Sequence, residues 1–207
     1  VLNQRLYLLI AHLPADSDHR QESSLGRELL TRLARRHGIH CRKDDWSPRG
    51  AGPPRHPRLP ATWYPALTHR HGRVVAGLAT CPVGLDLEYH RSRHHRHMTG
   101  MIDALPESEV RAAIHASTAP QKTFYRAWTW HEALFKLETH YGASPTSVLH
   151  TRLARLDGHD RCGWLWQNDG WTLAVVSGEQ GLHIQSLPFL AFRQYRRALD
   201  GLSMNAA

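Results

Sequence analysis

Three cysteines, Cys41, Cys81 and Cys162, are all that 207 residues contain, and no two are spaced as Cys-x-x-Cys. That excludes a zinc ribbon, and an odd count without secretory signals fits reduced thiols and a cytoplasmic setting. Lysine is equally scarce: only Lys43, Lys122 and Lys136 stand among 26 basic residues, the rest being arginine. No run of apolar residues approaches the ~18 that a membrane-spanning helix needs. The longest candidate, residues 6–13, is too short, and it lacks the cationic start and cleavage site of a signal peptide.

What is present is a soluble composition, 41% hydrophobic and 21% charged. Its length suits one domain, or two fused halves of about 100 residues each. The 26 basic residues outnumber 18 acidic ones, a formal charge of +8 with seventeen histidines neutral. A basic chain seeks an anionic partner, but composition does not choose among nucleic acid, phosphorylated ligand, acidic protein and membrane.

Along the chain, residues 5–11 read as a buried strand. Ser23 or Ser24 is expected to cap a helix bearing Leu25, Leu29, Leu30 and Leu33, with Gly38 as its stop. Residues 47–60 hold five prolines and must form an extended loop. Strands are expected at 72–80, 83–88, 164–167 and 170–177, helices at 107–116 and 121–140, and a last helix at 188–200. GRVVAGLA (72–79) and GWTLAVVS (170–177) align without gaps, 98 residues apart, a weak sign of duplication.

Two segments carry chemistry. In VGLDLE (83–88) alternation puts Asp86 and Glu88 on one strand face, Leu85 and Leu87 on the other. Paired carboxylates suit a hard cation such as Mg²⁺, although a solvated acidic edge strand has the same pattern. In the helix that follows, Trp128, Glu132 and Lys136 share a face. They read either as an amphipathic helix with an i,i+4 ion pair or as a third metal ligand with a phosphate clamp. His131-Glu132 lacks the second histidine of a zincin, since residue 135 is Phe135.

Together, V-G-L-D-L-E, W-T-W-H-E-A-L-F-K (128–136) and A-L-T-H (66–69) resemble the 4′-phosphopantetheinyl transferase family over about residues 63–177. The resemblance implies an α+β fold of the larger, monomeric class: two similar halves, 1–82 on the coenzyme A side and 83–207 on the metal and carrier-protein side, with the active site between them. It implies transfer of the 4′-phosphopantetheine arm of coenzyme A to a serine of an acyl or peptidyl carrier protein, releasing adenosine 3′,5′-bisphosphate. Asp86, Glu88 and Glu132 would bind Mg²⁺, and Asp86, Glu132 and Lys136 would be catalytic. Thr68, His69, Arg55, His131 and Lys136 would contact coenzyme A. Three positions depart from the family: His131 replaces its usual lysine, G-P-P-R (52–55) its Gly-Lys-Pro, and the first half is short.

The basic run after the acidic strand reads as a solvated loop or, in the transferase reading, as a dock for an acidic carrier protein through Arg91, Arg93 and Arg96. A histidine metal site in that run lacks cysteines and regular spacing. Two alternatives remain: a basic nucleic-acid-binding module, which lacks any recognisable motif, and an inactive homologue that binds carrier protein. The transferase reading involves neither nucleic acid nor membrane.

Overall fold

Asp18, not Ser23 or Ser24, begins the first helix. Its carboxylate accepts from the Arg20 and Gln21 amides, and Gln21 returns a bond to the Asp18 amide. This reciprocal cap starts the helix a full turn earlier than the leucine spacing suggests and leaves both serines inside it. In the computed structural model, which describes residues 4–50, 52–91, 96–142, 146–156, 161–195 and 197–202, the protein is a mixed α+β fold with two four-stranded sheets.

The first half runs β1 (Arg5–His12), α1 (His19–Arg36), β2 (Tyr64–Arg70) and β3 (Arg73–Ala79). The proline-rich stretch between α1 and β2 is loop apart from one helical turn at Lys43–Asp45. The second half runs β4 (Val83–Tyr89), α2 (Met98–Asp103), α3 (Ser108–His115), α4 (Pro120–Glu138), β5 (Cys162–Asn168) and β6 (Trp171–Ser177). The chain ends with β7 (His183–Leu187), β8 (Arg193–Tyr195) and α5 (Ala198–Leu202).

The sheets are ordered β2-β3-β1-β7 and β4-β6-β5-β8. Each contains a strand, a long helix and a hairpin, with the hairpin's second strand in the middle, beside the first strand. The two echoing segments are those middle strands, β3 and β6. Leu6, Leu8 and Val75 of one sheet pack with Leu85, Leu87 and Val175 of the other. Leu29, Leu30 and Leu33 of α1 cover the outer face of the first sheet, and Trp130, Leu134 and Leu137 of α4 that of the second.

Three expectations need correction. Residues 188–200 are not a helix: Arg193–Tyr195 pairs with Gly163–Leu165, Tyr195 packs edge-on against Trp130, and only Ala198–Leu202 is helical. β2 and β7 were not expected as strands. β7 belongs to the first sheet, parallel to β1, so the strand pairing crosses the expected division at residue 82. Among the described residues, no helix is long and apolar enough to cross a membrane.

Candidate active site

The site begins with a missing side chain. An added Cβ on Gly84 would sit 1.7 Å from the Ala133 carbonyl oxygen, so α4 lies directly on β4 there. The strand face that Gly84 shares with Asp86 and Glu88 therefore faces α4, while Leu85 and Leu87 enter the core between the sheets. Both carboxylates are buried, at 5% and 7% exposure, so a solvated acidic face does not describe this strand.

Each carboxylate meets a cation. Lys136 Nζ, from α4, donates to Asp86 Oδ1 at 2.6 Å and to the Leu85 carbonyl at 3.2 Å. Arg70 Nε, from β2, lies 2.9 Å from Glu88 Oε2. Glu132 is close enough for the charges of Asp86, Lys136 and Arg70 to act on it. Burial, then the Asp86 charge, pushes the Glu88 carboxyl up to about 7. The same two causes raise Glu132. Burial disfavours the charged Lys136, but Asp86, Glu132 and Glu88 overcome it and raise its pKa.

β4 is an edge strand, and side chains occupy the backbone groups on its free edge. His140 hydrogen-bonds the Val83 backbone, Lys136 the Leu85 carbonyl, and the Leu87 amide donates to Thr68 Oγ1 at 3.2 Å. Thr68 Oγ1 also donates to Asp86 Oδ1 at 3.4 Å and is itself buried. Thr68 is thus placed to position Asp86 rather than to meet a ligand. Along β2 the side chains alternate: Thr68 and Arg70 turn to β4, while His69 turns to α1, where its Nδ1 lies 2.7 Å from Glu22 Oε2.

The expected residues do not all converge. His131 points away from Asp86 and is fully buried. The Thr151 hydroxyl donates to the Val148 carbonyl, so its oxygen accepts the His131 Nδ1 proton at 2.7 Å. Burial, then Arg152, lowers the His131 pKa to about 4, so the imidazole is neutral and offers no phosphate a charge. Arg55 is exposed on a cleft of about 220 Å³ bounded by Trp63, Tyr64 and His140. His140, on this cleft, lies four residues beyond Lys136. A second cleft, about 380 Å³, lies against α1 and is lined by Arg20, Arg27, Lys43 and Arg49. In the expected docking run, the Arg91 amide is bonded to the Tyr125 hydroxyl, Arg96 is exposed, and Arg93 lies outside the described residues.

Arg70 was missed. Its signal is the T-H-R alternation on β2, which becomes readable only once β2 is known to lie beside β4. Three carboxylates are the kind of donor set a hard divalent cation takes, but Asp86, Glu88 and Glu132 do not bring one oxygen each within 4.8 Å of one another, as the ligand atoms of His19, Glu22 and His69 do. Asp86 Oδ2 is buried without a hydrogen-bond partner, and the Asp86 charge adds to burial in raising Glu88 and Glu132.

No curated protein matches the chain. Residues 82–159, the stretch that carries β4 and α4, match the family model described as the 4′-phosphopantetheinyl transferase superfamily.

Proposed function

We propose that the protein transfers the 4′-phosphopantetheine arm of coenzyme A to a serine of an acyl or peptidyl carrier protein. The observation that carries this reading is the grouping of the buried Asp86 and Glu88 with the half-buried Glu132 and Lys136, with one Asp86 oxygen left unpartnered. Asp86, Glu88 and Glu132 would hold Mg²⁺, which when bound neutralises pyrophosphate charge. Lys136, kept charged by its carboxylate neighbours, orients a phosphate oxygen beside them. The two cationic clefts, with Arg20, Lys43 and Arg49 on one and Arg55 on the other, attract the nucleotide end of the donor.

The serine oxygen forms a bond to the pantetheine-side phosphorus, and the bond from that phosphorus to the bridging oxygen breaks. The serine proton passes to Glu132 as general base. Adenosine 3′,5′-bisphosphate leaves. We read the shared β-α-hairpin order of the halves as a duplication, and the protein as a monomer with its site between them.

The test is Mg²⁺-dependent labelling of an apo carrier protein from fluorescent coenzyme A. Labelled carrier, abolished by chelator and by serine-to-alanine substitution of the carrier, is the expected result. No labelling of fatty-acid, polyketide or peptide carriers, together with salt-sensitive binding of single-stranded nucleic acid, would replace this reading with the nucleic-acid one.

A further inference from the structure

Separate from the carboxylate cluster, β2 and the first turn of α1 bring together two imidazoles and a buried carboxylate. His19 Nδ1 lies 3.0 Å and His69 Nδ1 2.7 Å from the same Glu22 Oε2. Among the described residues this is the group of three whose ligand atoms all lie within 4.8 Å of one another. In a tetrahedral zinc site with bonds of ~2.1 Å, neighbouring ligand atoms are about 3.4 Å apart. Two of the three spacings already fall just inside that value.

The carboxylate is fixed from behind. Glu22 Oε1 accepts the Gly72 amide at 2.7 Å, leaving Oε2 turned to the two rings. Gly72 has φ +76°, and a Cβ there would meet the Leu13 and Pro14 carbonyl oxygens, so the turn that supplies this amide is rigid. An outer hydrogen bond of this kind sets the direction of a ligating oxygen. The Glu22 side chain is 2% exposed and that of His69 15%, whereas His19 is 63% exposed and leaves one side open to solvent.

We propose that His19, Glu22 and His69 form a binding site for a borderline divalent transition ion of the zinc class, with a solvent-facing fourth position. Two imidazole nitrogens and one carboxylate select such an ion over Mg²⁺, which prefers oxygen. On binding, each Nδ1 presents its lone pair and the ring keeps its proton on Nε2. The site adjoins the transferase site through β2 but does not depend on the transfer reading.

The test uses the full chain, stripped with chelator and titrated with Co²⁺ in excess Mg²⁺, read by visible d–d absorption. One Co²⁺ per chain, displaced by equimolar Zn²⁺, is expected. His19→Ala should weaken binding at least about tenfold, since even outer-shell losses reach that size. Asp86→Asn and the exposed His183→Ala should leave the titration unchanged. No absorption in the wild type, wild-type titrations for both His19→Ala and His69→Ala, or loss of the band in Asp86→Asn would each overturn the proposal. His19 is the deciding variant because its ring is mostly exposed and the fold does not rest on it. Carrier labelling without a Co²⁺ site sinks this proposal alone, and a Co²⁺ site without labelling sinks the transfer reading alone.

Discussion

The two halves lay out the same pieces and put different residues at the same seam. On the first, β1 turns Tyr7, Leu9 and Ala11 toward α1. On the second, β4 turns Gly84, Asp86 and Glu88 toward α4. The first seam is ordinary apolar packing. The second places two buried carboxylates where leucine would pack, offset by Lys136 and Arg70. Such pairs often contribute less stability than apolar residues of similar volume. The first seam shows that this arrangement of strand and helix does not require charges.

The largest way to break that contrast is Asp86→Asn. Labelling of carrier protein should fall at least about 100-fold, the scale of losing one charge-stabilising group. Thermal unfolding should show the same or a higher midpoint. Equal losses of activity and stability would mean that the seam is structural.

Gly84→Ala attacks the seam through space rather than charge. A Cβ 1.7 Å from the Ala133 oxygen forces α4 away from β4, and denaturant unfolding should show about 3 kcal/mol or more of destabilisation.

His131→Lys sharpens the contrast between the two faces of α4. A lysine there is buried on the side away from Asp86, beside Glu107, whose Oε2 lies 3.7 Å from His131 Nε2, so coenzyme A affinity should not improve, and the longer side chain in a packed site should cost about 1–3 kcal/mol of stability. The wild-type histidine has its own signature. Its pKa is about 4 in the folded chain against an ordinary ~6.5, so between those values the unfolded chain binds the extra proton. Stability from this group is complete above about pH 6.5 and is lost as pH falls toward 4, by about 3 kcal/mol at most. His90, lowered to about 4 by burial and by Lys122, adds in the same direction. Urea midpoints across that range should fall in the wild type and fall less in His131→Asn.

The smallest effect is at the rim. Arg96→Glu should raise the KM for an acidic carrier protein about threefold at low salt and spare coenzyme A binding, with the difference vanishing as salt screens the exposed charge.

Local pattern went far where one face of one element carried the information. The alternation in VGLDLE and the four-residue spacing of Glu132 and Lys136 are both present in the fold, and the echo of β3 and β6 marks the middle of each sheet. Pattern failed where a distant segment decided. β7 is five residues whose strand state comes from pairing with β1, and β8 is three residues held by β5. His131 follows Trp130 and precedes Glu132, and only the packing of Thr151 shows that its ring turns from the site. Arg70 and Glu88 are 18 residues apart and meet because two sheet edges do.

That meeting of edges has a consequence for solubility. An exposed edge strand invites another chain to add to it, and proteins blunt such edges with bulges, prolines, charges or a covering element. β4 is blunted by His140, Lys136 and Thr68, which take up its outward backbone groups. Two of these three side chains also hold Asp86. The order of Asp86 and protection from aggregation are therefore vested in the same atoms: a descendant that let residues 68 and 136 drift would also reopen a template for misassembly.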